Sequence, residues 1–139
     1  MRLNQTKIAG AALLAVAFVA GYAANKYNKP KSVLHVITMH YKDGTTDEQK
    51  KAVLDATEKM ASEVPGLKNI WLKTAKVQGS YMDKQPDGSM KARPFTDVIG
   101  MEFEDDAAFK AYADHPSHKA WEKIYTDARG RSSTVDVTN

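Results

Sequence analysis

The chain has 139 residues, of which 42% are apolar, 27% are charged and none is cysteine. That is room for one domain, with enough apolar content for a folded core, and the lack of cysteine excludes a disulfide framework, a cysteine nucleophile, a thiolate zinc site and a lipoprotein-type anchor. The net charge of +3 is carried by the first 30 residues: they hold Arg2, Lys7, Lys26 and Lys29 and no acid, against 16 Lys/Arg and 17 Asp/Glu in the remainder. The remainder therefore lacks the basic excess that draws proteins to phosphate backbones, and no nucleic-acid partner is expected.

Residues 1–7 form a short basic head, and residues 8–24 (IAGAALLAVAFVAGYAA) are a run of 17 without a charge. A basic head before an Ala, Leu and Val-rich run reads as a secretory signal peptide. Gly21-Tyr22-Ala23 places small residues at the two positions a signal peptidase inspects. The same run sits at the lower length limit for a membrane-spanning helix, about 17 residues, so an uncleaved anchor through residues 8–24 stays open. Either way residues 1–30 are a hydrophobic leader, and a bacterial cell-envelope location is expected, periplasmic, secreted or tethered to the inner membrane.

Residues 31–139 form the globular domain. Residues 33–41 (VLHVITMHY) are dense in β-branched and aromatic types and end at Asp43-Gly44, so they predict a strand. Both of its alternating faces are largely apolar, which predicts burial on two sides. Thr46-Asp47-Glu48-Gln49 has capping-box spacing, and Val53, Thr57, Met60, Ala61 and Val64 then form a helical stripe. Val64-Pro65-Gly66 stops that helix. Residues 67–78 predict a second strand, and the polar stretch 79–94, with Pro86-Asp87-Gly88, predicts a loop or extended hairpin tip. Residues 95–103 predict a third strand. An acidic cap at 104–106 opens a short helix, 107–113, which His115-Pro116-Ser117 breaks. A further helix, 118–128, carries Ala120, Trp121, Ile124 and Tyr125 on one side. Gly130 ends it, and residues 132–137 predict a last strand.

The order β-α-β-β-α-β is the ferredoxin-like α+β arrangement, a four-stranded antiparallel sheet with helices on one face. Helices leave the other face bare, and in a small domain a second copy of the chain is the simplest cover.

Four blocks carry a resemblance to a known family: LHVITMHYK, EVPGLKNI, FTDVIGMEFED and AYADHPSHKAW. Together they are similar to the stress-responsive A/B barrel (Dabb) domain from about residue 32 to 137. The resemblance implies a homodimer whose sheets pack face to face as a dimeric α/β barrel, and a pocket between sheet and helices for a small apolar or aromatic ligand. It does not imply one function. Some similar plant proteins are polyketide cyclases with a histidine–tyrosine acid/base pair, and related barrels are cofactor-independent monooxygenases. His118 and Tyr112 match the positions of that pair, and His35 matches a pocket-lining histidine, with Tyr41 and Trp121 as further expected lining residues. Thr57 and Asp97 stand where those cyclases carry a tyrosine and a histidine, so the cyclase pocket is incomplete.

The residues leave plainer roles open. His118 and His115 could only fix the break between the helices, and Tyr112 and His35 could be satisfied core residues. His115 precedes a proline and so favours extended backbone, whereas His118 falls in the first turn of the next helix and can point under the break. His115-x-x-His118 straddles a helix boundary with no third ligand, so neither a metal nor another cofactor is expected. Three functions remain in view: a homodimeric ligand-binding or stress-related module of the envelope, a small-molecule enzyme using His118 with Tyr112, and a structural partner of another envelope protein.

Overall fold

The structure is a computed structural model that describes residues 27–139. The apolar run 8–24, with the helix, signal or anchor expected there, lies outside the described residues. Among the described residues no helix is long and apolar enough to cross a membrane. The unit from Lys31 to Asn139 is taken by itself.

Strand β1 (Val33–Tyr41) is followed by helix α1 (Asp47–Glu63), strand β2 (Leu67–Trp71), a hairpin of β3 (Ser80–Lys84) and β4 (Met90–Pro94), and strand β5 (Asp97–Phe103). Helices α2 (Asp106–Tyr112) and α3 (Pro116–Ala128) and strand β6 (Arg129–Val137) complete it. The main sheet is antiparallel in the order β2-β5-β1-β6, and β3-β4 form a separate two-stranded sheet. This is the ferredoxin-like arrangement, with the hairpin inserted between its second and third sheet strands.

Local chemistry explains the boundaries. Thr46 caps α1 through a complete capping box: its hydroxyl accepts from the Gln49 N–H while the Gln49 side chain accepts from the Thr46 N–H. Asp105 caps α2 by accepting from the Ala108 N–H at 2.9 Å. Pro116 stands at the first position of α3, where a missing N–H costs nothing. That moves the start of α3 two residues ahead of the predicted one. Its end differs too. Lys42 extends its ammonium to the Asp127 carbonyl at 2.7 Å, and β6 begins at once, so Gly130 is a strand residue rather than a helix stop. A Cβ there would meet the His40 carbonyl at 3.1 Å, beside the irregularity of β1 at His40/Tyr41.

Alternation along β1 divides the sheet. Val33, Ile37, Met39 and Tyr41 are buried with Phe103, Met101 and Ile99 of β5, and the helices add Val53, Met60, Tyr112, Trp121 and Tyr125 to one core. The opposite face bears Leu34, Val36, Val98, Val135, Val137 and Trp71, and the last three are at least half exposed. Trp71 lies across Gly100, its cross-strand neighbour, where an added Cβ would stand 3.2 Å from the indole. The expectation of two buried faces therefore resolves into one covered by helices and one that this chain leaves bare.

Candidate functional site

Coverage of the inner face is uneven. α1 packs against α3 and β2, α2 against β5, and α3 against β6. Between α2, α3 and the β1–β6 side of the sheet a cleft of about 500 Å³ remains. Its lining includes His35 from β1, Phe109 and Tyr112 from α2, His118, Trp121 and Tyr125 from α3, and Arg129 from β6. Four of the five expected site residues, His35, Tyr112, His118 and Trp121, therefore share one cleft.

His118 occupies the third position of α3. Its Nδ1 lies 3.1 Å from the Ala113 carbonyl oxygen. A carbonyl only accepts, so Nδ1 carries the proton, and in a neutral ring Nε2 keeps the lone pair. The first turn of a helix is also where the dipole opposes an imidazolium. The ring lies 4.1 Å, centroid to centroid, from Tyr112 and 5.6 Å from Trp121. Tyr112 is 4% exposed and its hydroxyl has no hydrogen-bond partner within the protein, as is also true of Tyr125. Burial, with Glu122 and Tyr125 nearby, pushes the Tyr112 phenol above the usual tyrosine range. It therefore stays protonated at neutral pH and can donate to a ligand oxygen.

His115 does a different job. It is the N-cap of α3, and its Nδ1 accepts from the Ser117 N–H at 3.2 Å. That bond holds the corner between α2 and α3, and His115 does not line the cleft. Among the described residues no cluster of three His, Cys, Asp or Glu is arranged to hold a metal ion.

Tyr41 does not line the cleft, contrary to its expected place. It lies near the end of β1, past the irregularity at His40, and lines a separate hollow with His40, Asp43, Tyr81 and Arg93. Burial, with the Asp97 carboxylate and Tyr125 adding to it, pushes its phenol up to about 12. Thr57 is fully buried: its hydroxyl donates to the Val53 carbonyl at 2.7 Å and accepts from the Trp121 indole N–H at 2.8 Å. It thereby fixes the orientation of a cleft wall. Asp97 accepts from the Thr96 hydroxyl at 2.6 Å and does not line the cleft.

Two lining features were missed. Phe109 reads in sequence as an ordinary helix residue, yet its ring lies 5.4 Å from His35. Asp136 places Oδ1 2.6 Å from His35 Nδ1. Alternation on the last strand offers a signal for Asp136, but the register that sets it opposite His35 is a tertiary property.

A ferredoxin-like α+β domain with a cleft beneath a broken helix pair is the class so defined. The chain belongs to the stress responsive A/B barrel domain family, whose model matches residues 33–139. A dimeric ferredoxin-like protein of unknown function from Thermobifida fusca is 21% identical at a TM-score of 0.57, covering 83% of this chain and 97% of that one. A Dabb family protein with a ferredoxin-like fold from Mesorhizobium loti is 19% identical at 0.52, covering 78% and 96%. The hydroxynitrile lyase from Passiflora edulis is 18% identical at 0.60, covering 78% and 93%. At such identities the likeness shows the fold. No curated protein matches the chain.

Proposed function

We propose that this protein is a homodimeric small-molecule-binding module of the bacterial cell envelope, and that its ligand is a small apolar or aromatic molecule held in the cleft. One observation carries the reading. Aromatic walls surround a phenol without a protein partner and an imidazole whose one nitrogen is tied back, and the space of about 500 Å³ is that of a small-ligand site. A filled core would place apolar atoms around the Tyr112 hydroxyl or satisfy it. The test is a small aromatic fragment set against isotope-labelled protein. Binding that perturbs the Trp121 indole and His118 ring signals supports the reading, and perturbation confined to other surfaces defeats it.

A second reading has an observation of its own. With Nδ1 of His118 donating to Ala113 and the Tyr112 ring in contact, the pair has the makings of an acid–base couple: Nε2 accepts a proton and the phenol steadies developing negative charge. That a hydroxynitrile lyase shares the fold is compatible with chemistry in such a cleft. Loss of turnover in both His118→Ala and Tyr112→Phe, with the fold retained, would favour an enzyme of cyclase-like or cofactor-independent monooxygenase-like type over a binding module.

The envelope location rests on the basic head and the uncharged run of residues 8–24. Fusing residues 1–30 to a reporter active only outside the cytoplasm tests it, and a silent reporter counts against it.

A further inference from the structure

Both cleft histidines have Nδ1 occupied, but by partners of different kinds. His118 donates to a neutral carbonyl. His35 Nδ1 lies 2.6 Å from an Asp136 carboxylate oxygen. Asp136 is the direct cross-strand partner of His35 in the β1–β6 ladder, so pairing alone brings the two side chains together on the cleft face. An ionised carboxylate only accepts, which fixes the proton on Nδ1 and leaves Nε2 for a ligand. The surroundings reinforce this. The His35 side chain is only 14% exposed, and its ring lies 5.4 Å from Phe109 and 6.0 Å from Tyr112, whereas Asp136 is 47% exposed at the rim. An imidazolium formed at His35 keeps a carboxylate at contact distance. One formed at His118 has a carbonyl and the unfavourable end of a helix.

We propose that Asp136 is a positioning residue for His35, and that the pair is the seat in the cleft for an acidic hydroxyl of the ligand: a phenol, an enol or a carboxylic acid. The ligand O–H donates to His35 Nε2. Where the hydroxyl is acidic enough, the O–H bond breaks, the electron pair stays on oxygen and an N–H forms. An oxyanion then faces an imidazolium that Asp136 holds in place. His118 and Tyr112 contact the rest of the ligand. This rests on the cleft being a ligand site, and its test separates the two ideas.

The experiment uses the full-length protein with isotope-labelled histidine and two probes, para-ethylphenol and para-ethylanisole, which differ by methylation of the hydroxyl. The neutral His35 ring is expected as the Nδ1–H tautomer, and the phenol, unlike the ether, should shift its Nε2 signal. The phenol should bind about 10-fold more tightly than the ether, the scale of one charge-assisted hydrogen bond. Asp136→Asn should bring phenol affinity down to that of the ether and leave ether affinity unchanged, and Asp136→Glu should restore part of the difference. An Nε2–H tautomer at His35, or undiminished phenol binding by Asp136→Asn, overturns the assignment. Ether and phenol binding equally, with the Trp121 indole signal perturbed, removes the His35–Asp136 seat but keeps the ligand site. Failure of both probes to bind removes the site and the seat together.

Discussion

Thr57 shows how a single residue supports the cleft without lining it. Its hydroxyl both donates and accepts, linking the α1 backbone to the Trp121 indole inside the core. Thr57→Val keeps the volume but orphans a buried N–H, a loss of about 1–3 kcal/mol. Urea unfolding should show that loss, and Thr57→Ser should recover much of it. Tyr112 is the opposite case, because its buried hydroxyl is unpaired in the free protein. Tyr112→Phe should therefore leave stability unchanged or raised while weakening ligand binding. The pH dependence follows from the same burial. Tyr112 and Tyr41 both hold their protons above the ordinary tyrosine value. The folded state then keeps protons that the unfolded chain begins to lose near pH ~10, so stability is complete below that pH and falls as pH rises beyond it. Denaturant midpoints should decline along that alkaline limb, and the decline should be shallower in Tyr112→Phe.

At the scale of elements, the connection from α1 to β2 is the most constrained. Gly66 has φ of +80°, and a Cβ there would stand 2.5 Å from the Ala108 Cβ of α2. Gly66→Ala should cost more than ~2 kcal/mol through strain and clash together, whereas Gly88→Ala, in an open turn of similar φ, should cost about 1 kcal/mol. A pair of thermal unfolding curves checks the ranking. These elements also show what a sequence can reveal. Capping box, helix stripe and β-branched strands are local, and each lies close to its expected place. The stretch 79–94 was legible only as a loop or hairpin tip, because its order comes from distant partners. Arg93 pairs with Asp43 at 2.7 Å and reaches His40 at 3.0 Å, and Tyr81 packs on Phe95. The second strand ends at Trp71 rather than at 78, since β2 has only β5 as a neighbour and the chain leaves the ladder for the hairpin. In the cleft, His118, Tyr112 and Trp121 were legible from their spacing around the helix break. Asp136 and the exclusion of Tyr41 depended on strand register, which spacing does not encode.

At the scale of the whole molecule, the bare sheet face and the cleft lie on opposite sides of one sheet. Leu34, Val36, Val135 and Val137 form an apolar patch with Trp71, and a second copy would bury it. Sedimentation equilibrium at tens of micromolar should find a dimer, and Val36→Glu, which sets a charge in the middle of that patch, should give a folded monomer. A wild-type monomer would end the homodimer reading. The cleft is built within one chain, so its binding can be judged directly. The most direct measurement is a crystal structure of the protein soaked with small phenols and other aromatic fragments. The account predicts ordered ligand between α2, α3 and β1, in contact with Trp121 and within hydrogen-bond reach of His118, Tyr112 or His35. A cleft closed by side chains, with ligand found only elsewhere, would contradict it.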